Sequence, residues 1–132
     1  MNLETPLISV QKSAKDLYEF LIDFKNFERI MPQNTDKFEI KDDGFIFALK
    51  GMPTIKLKLD EKIPHSKIVL GSAAEKFPFT LTAIIVEDDT KSKVNFSFEG
   101  KFNPMISMMV KKPLQKFIDT LSENLENLEK LT

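Results

Sequence analysis

The sequence predicts an α+β fold whose elements run in the order strand, two short helices, an antiparallel series of about six strands, and a long C-terminal helix. Three observations predict it. Apolar residues alternate with period two through the middle of the chain, as in Ile55-Lys56-Leu57-Lys58-Leu59-Asp60, the pattern of half-buried strands. After Phe102 the apolar period lengthens to that of an amphipathic helix. Near the start, a helix-capping serine and a later proline bracket two short apolar stretches at helical spacing.

Taken in order, Leu3 to Lys12 reads as the first strand, with Ile8 and Val10 on one face and Leu7 and Ser9 on the other. Ser13 is a helix N-cap with Asp16 in the place of a capping-box acid, and Leu17, Phe20, Leu21 and Phe24 follow at helical spacing. A second short helix over Phe24 to Ile30 ends before Pro32, because the residue before a proline avoids helical backbone angles. Phe38 to Lys41 and Phe45 to Lys50 flank Asp42-Asp43-Gly44, a hairpin signal. The alternation above places Ile55, Leu57 and Leu59 on one buried face. Pro64-His65-Ser66 breaks the chain before a strand over Lys67 to Ser72. Phe77 to Glu87 puts Phe79, Leu81, Ala83 and Ile85 on one side, and after the polar turn Glu87–Ser92 the last strand faces inward with Val94, Phe96 and Phe98.

The terminal segment from Asn103 to Leu131 is the strongest feature. Asn103 is a good N-cap and Pro104 a good first helical residue. Leu114, Phe117, Ile118, Leu121, Leu125 and Leu128 form one apolar stripe, on a helix about 27 Å long from Leu114 to Leu131 at 1.5 Å per residue. Pro113 is expected to kink or break it. Asn103 to Lys112, set off by that proline and rich in methionine, is then the expected gate to the interior.

Composition excludes several classes. At 132 residues, with 42% hydrophobic and 30% charged residues, the chain fits a single domain over 1–132 of ordinary globular type. A net charge of −1, lysines interleaved with acids, and Arg29 as the single arginine argue against nucleic acid. Without cysteine there is no disulfide, thiolate metal site or cysteine nucleophile. No apolar run approaches the roughly 20 residues of a membrane span, and Met1 to Pro6 lacks signal-peptide character, so the cytoplasm is the default compartment. Asn95-Phe96-Ser97 matches a glycosylation sequon inside a predicted strand and reads as chance. No metal or nucleotide cofactor is expected: neither a GxGxxG nor a GxxxxGK[ST] motif occurs, and the Asp42-Asp43 and Asp88-Asp89 pairs lack calcium-loop spacing.

Several stretches carry a family resemblance over essentially the whole chain. They are Val10-x-x-Ser13-x-x-x-Leu17-Tyr18-x-Phe20-Leu21-x-Asp23, Met31-Pro32 after the second short helix, and Gly100-x-Phe102-Asn103-Pro104-Met105 at the exit from the last strand. Together they resemble the START/Bet v 1-like (SRPBCC, polyketide-cyclase-like) superfamily. That resemblance implies a helix-grip fold, in which a curved antiparallel sheet of six to seven strands wraps the C-terminal helix around a hydrophobic cavity. Members bind lipids, sterols, polyketides, hormones or quinone-like molecules, and some are cyclases or hydratases. The layout is also similar to the branch related to the G-type accessory protein of carbon-monoxide dehydrogenase.

On this reading Phe45, Phe47, Leu57, Phe79, Leu81, Phe96, Phe98, Met105, Met109 and Phe117 line the cavity. No catalytic residue is assigned. His65, the single histidine, reads as an exposed turn residue, since neither a nucleophile nor an orienting acid accompanies it. Tyr18 is either an amphipathic surface tyrosine or a hydroxyl reaching the cavity, and Arg29 either a surface ion pair or a partner for a ligand carboxylate. Met105, Met108 and Met109 are either core filling or an adaptable apolar surface. Three functions follow: a carrier or sensor of a hydrophobic small molecule, which the residues favour; a cyclase- or hydratase-type enzyme; and an accessory protein touching a membrane or partner through Met105 to Lys112. Oligomeric state is not legible from these residues.

Overall fold

The computed structural model describes residues 1–52, 54–72 and 79–128. Its elements are β1 (Asn2–Glu4), β2 (Ile8–Val10), α1 (Ala14–Ile22), α2 (Phe24–Ile30), β3 (Thr35–Lys41), β4 (Gly44–Leu49), β5 (Ile55–Ile63), β6 (Lys67–Ser72), β7 (Phe79–Asp88), β8 (Lys91–Gly100) and α3 (Pro104–Glu126). The strands form one open antiparallel sheet in the order β1-β8-β7-β6-β5-β4-β3, with β2 also paired to β8. This is the expected α+β architecture, with the sheet curved around α3.

The single first strand expected over Leu3 to Lys12 is two short ones, set end to end along β8. Pro6 has no N–H to give to the ladder. Thr5, buried beside it, donates its N–H to the Phe96 carbonyl at 2.9 Å and accepts the Phe96 N–H on Oγ1 at 2.9 Å. A side chain thus replaces a backbone acceptor where the strand is interrupted.

The early helices form where expected. Ser13 Oγ accepts the Asp16 N–H at 3.1 Å and caps α1, and α2 ends at Met31, ahead of Pro32. The β3–β4 hairpin also forms, by a different device from the expected one. Asp42-Asp43 is the turn, and Gly44 already pairs with Lys41 and Lys58 in the sheet. Gly44 is needed because a Cβ there would run into the Leu57 carbonyl of β5. Left-handed backbone occurs instead at Gly51 (φ 83), His65 (φ 69) and Asp89 (φ 56), each in a connection between strands.

The helix α3 begins with Asn103, whose Oδ1 accepts the Ile106 N–H at 2.9 Å, and Pro104 opens its first turn. It runs through Pro113 without the break that proline suggested. The Met109 carbonyl that loses its helical partner belongs to an exposed residue, and the buried stripe from Leu114 onward holds the axis on the C-terminal side of the proline. Past Glu126, Leu128 is still buried. The predicted strand start at Phe77 and helix end at Leu131 lie outside the described residues.

The core sits between the concave face of the sheet and α3. Its densest part is a chain of phenylalanine rings: Phe27–Phe45 at 5.0 Å, Phe38–Phe45 at 5.1 Å, Phe45–Phe47 at 5.9 Å and Phe47–Phe117 at 5.0 Å between centroids. These rings lock α2, β3, β4 and the middle of α3 together. Asn124 Nδ2 adds a 2.8 Å hydrogen bond to the Ile30 carbonyl, joining α3 to the end of α2.

Candidate functional site

Among the described residues, two spaces open beside α3, and Met52 borders both. The smaller, about 100 Å³, lies under the first turns of the helix. Ile106, Val110 and Leu114, spaced by four so that one helix face turns inward, roof it together with Phe102 just ahead of the helix. Ile55, Phe79 and Phe98 come from β5, β7 and β8 below, and Thr54, Lys56 and Ser72 supply the polar atoms of its rim. Alternation on each strand puts Ile55, Phe79 and Phe98 on the concave face. Phe79 stacks on Phe98 at 5.1 Å, and Phe98 on Phe102 at 6.5 Å.

The larger space, about 340 Å³, is a cleft one to two helical turns further along α3. Lys112, Pro113, Lys116, Phe117 and Thr120 form its helix wall. Leu49 comes from the end of β4, Lys50 and Met52 from the β4–β5 connection, where Gly51 makes the left-handed turn, and Pro32 and Asn34 from the segment after α2.

The structure sorts the predicted lining residues. Phe79 and Phe98 border the small pocket and Phe117 the cleft. Phe45, Phe47, Leu57, Leu81 and Phe96 are buried in the core, with Phe45 and Phe47 packed into the ring chain. Met105 and Met109 are corrected: they are 73% and 69% exposed and face away from the interior. The helix is rotated so that Ile106 and Val110 take the inward positions, in phase with the stripe from Leu114 onward. Extending that stripe backward by fours would have found them. No sequence pattern brings Met52, Lys50, Lys112 and Lys116 together, because they converge from separate elements.

Tyr18 is buried, its ring edge-on to His65 at a 5.8 Å centroid distance, and borders neither space. Arg29 is exposed and holds its guanidinium 5.5 Å from the Phe20 ring centroid, also away from both. The Glu39 carboxyl, exposed on edge strand β3, is held below its ordinary range by a hydrogen bond from Lys41 and by the charges of Lys41 and Lys37. It too lies outside the two spaces. Among the described residues no group of three or more His, Asp or Glu is placed to hold a metal ion, and no helix is long and apolar enough to cross a membrane.

No family model and no curated protein matches the chain. Solved structures do. A START superfamily protein from Mycobacterium smegmatis superposes with a TM-score of 0.69 at 15% identity, covering 99% of each chain. A conserved protein from Geobacillus kaustophilus gives 0.69 at 10% identity over 96% of this chain and 93% of that one. The di-domain ARO/CYC BexL from the BE-7585A biosynthetic pathway gives 0.66 at 16% identity, over 98% of this chain and 47% of that one. At such identities the likeness is one of fold, and the fold is the START/Bet v 1-like helix grip.

Proposed function

We propose that this protein is a carrier or sensor that binds a hydrophobic small molecule between the sheet and the N-terminal half of α3. The observation that carries this reading is the apolar pocket roofed by Phe102, Ile106 and Val110 and floored by Ile55, Phe79 and Phe98. Likeness in fold to a START superfamily protein and to the ARO/CYC BexL is in keeping with this reading. At about 100 Å³ the pocket is smaller than the cavity of about 150 Å³ that admits benzene. A larger guest therefore enters by moving Met52, a flexible side chain, or by lifting the first turns of α3. Native mass spectrometry of protein from its own host, together with Nile red binding, tests the reading. A co-purifying apolar molecule, and loss of Nile red binding in Val110→Phe, are the expected results. If nothing co-purifies and Nile red does not bind the parent protein, the reading fails.

A second reading has its own observation. Met105, Met108 and Met109 are 73%, 83% and 69% exposed on one face of α3, with Lys101, Lys111 and Lys112 exposed around them. Apolar side chains flanked by ammonium groups suit the interface of an anionic bilayer. Flotation with vesicles containing phosphatidylglycerol tests this: the parent protein floats and Met108→Asp/Met109→Asp does not.

A further inference from the structure

The wider cleft carries charge that the core does not require. Lys50, Lys112 and Lys116 all border it, and among the described residues no carboxylate does. None of the three makes an ion pair among the described residues, whereas Lys37, Lys41 and Lys67 each find a glutamate. Lys112 and Lys116 stand one turn apart on the same helix face, an arrangement of like charges that opposes helix formation. A net charge of −1 for the whole chain makes three converging ammonium groups a local feature.

The cleft is also only half polar. Pro32, Leu49, Pro113 and Phe117 give it apolar walls, and Met52 joins it to the pocket under Val110. From Val110 to Lys116 is about 9 Å along the helix axis at 1.5 Å per residue. An aliphatic chain seated under Val110 and passing Met52 therefore brings its end among the lysines.

From this geometry we infer that the ligand is an anionic amphiphile: a carboxylate or phosphate monoester head held by Lys50, Lys112 and Lys116, on an aliphatic tail directed into the apolar pocket. This rests on the proposed small-molecule function and names the class of molecule. Ammonium groups bind such heads as point charges with rotatable donors, so both head types are accepted.

Displacement of Nile red by decanoate, decyl phosphate and decanol, at low salt and below micelle formation, tests the inference. Decanoate or decyl phosphate should displace the dye roughly tenfold more tightly than decanol, and the margin should shrink with added salt. The ratio between the two anions tells carboxylate from phosphate. In Lys112→Gln/Lys116→Gln the anions should fall to the decanol level while decanol is unchanged. Lys37→Gln/Lys41→Gln, which removes two charges elsewhere, should keep the margin. Unchanged unfolding midpoints show that these exposed-site variants remain folded. Equal displacement by decanol and both anions overturns this inference and leaves the hydrophobic-ligand reading standing. A margin that survives in Lys112→Gln/Lys116→Gln overturns the assignment to these lysines. If Nile red does not bind at all, both readings fall together.

Discussion

From Leu114 to Leu125 the helix α3 buries Leu114, Phe117, Ile118, Leu121, Ser122 and Leu125, while from Pro104 to Pro113 it buries no residue fully. The later half is also tied down by polar contacts. Asn124 reaches the Ile30 carbonyl, and Gln115 Nε2 donates to the Glu4 carbonyl at 3.3 Å and to Asp119 Oδ1 at 3.0 Å. In the earlier half, Ser107 Oγ donates at 3.5 Å to the Phe102 carbonyl just ahead of the helix. One half of the helix is a core element. The other is a lightly held roof over a pocket. Ligand entry needs a segment of low local stability, and sparse burial with few long-range hydrogen bonds is the physical form such a segment takes.

The contrast can be broken by mutation, and the largest effect is expected in the packed half. Phe117 is 2% exposed and stacked on Phe47. Phe117→Ala should cost about 3–5 kcal/mol in urea denaturation, since it removes a large buried ring and opens the ring chain. Ile106→Ala, at a half-buried roof position, should cost less than half as much. Equal costs would mean that the two halves are packed alike and that the roof is no looser than the core.

Next in size is the joint between the halves. A proline inside a helix is disfavoured relative to alanine by about 3 kcal/mol and lacks one hydrogen bond. Pro113→Ala should therefore stabilise the protein, by about 1–3 kcal/mol, and raise its thermal midpoint. The same variant should weaken Nile red binding if Pro113 lets the roof move independently of the packed half. Stabilisation with unchanged binding would show that the joint matters to folding alone.

These two halves also mark how far the sequence could be read. The packed half was legible because its stripe repeats over three turns, and burial on one face of a long helix leaves a strong periodic trace. Element order, the Ser13 and Asn103 caps and the β8 inner face of Val94, Phe96 and Phe98 were legible for similar local reasons. The roof was misread at Met105 and Met109, because methionine and isoleucine count alike as apolar and a segment apolar on two faces does not declare its phase. The Thr5 interruption and the role of Gly44 depend on strands 91 and 13 residues away in sequence, respectively Phe96 and Leu57. The lysine cleft was invisible because Lys50 and Lys116 meet only through tertiary structure.

A smaller effect tests how the roof is anchored. Asn103 supplies the cap that satisfies the Ile106 N–H at the open end of α3. Asn103→Ala should cost about 1 kcal/mol, as loss of a helix N-cap typically does. Because the roof is the weakly held half, hydrogen exchange should speed up from Ile106 to Val110 and stay unchanged from Ile118 to Leu125. Uniform acceleration along the helix would show that α3 opens as one unit and that Pro113 divides nothing.

The smallest expected change in stability is at the most exposed position of the roof. Met108 is 83% exposed, so its side chain leaves little surface to lose. Met108→Asp trades a good helix former for a poorer one at a position with little buried contact to lose. The net change should stay within about 0.5 kcal/mol, as for most surface substitutions. The change in behaviour should be far larger than the change in stability, since one carboxylate in the methionine face opposes seating on an anionic bilayer. A loss of vesicle binding at constant urea midpoint would separate this face from the fold. A fall in the midpoint comparable to that of Phe117→Ala would instead place Met108 in the core and erase the distinction between the two halves.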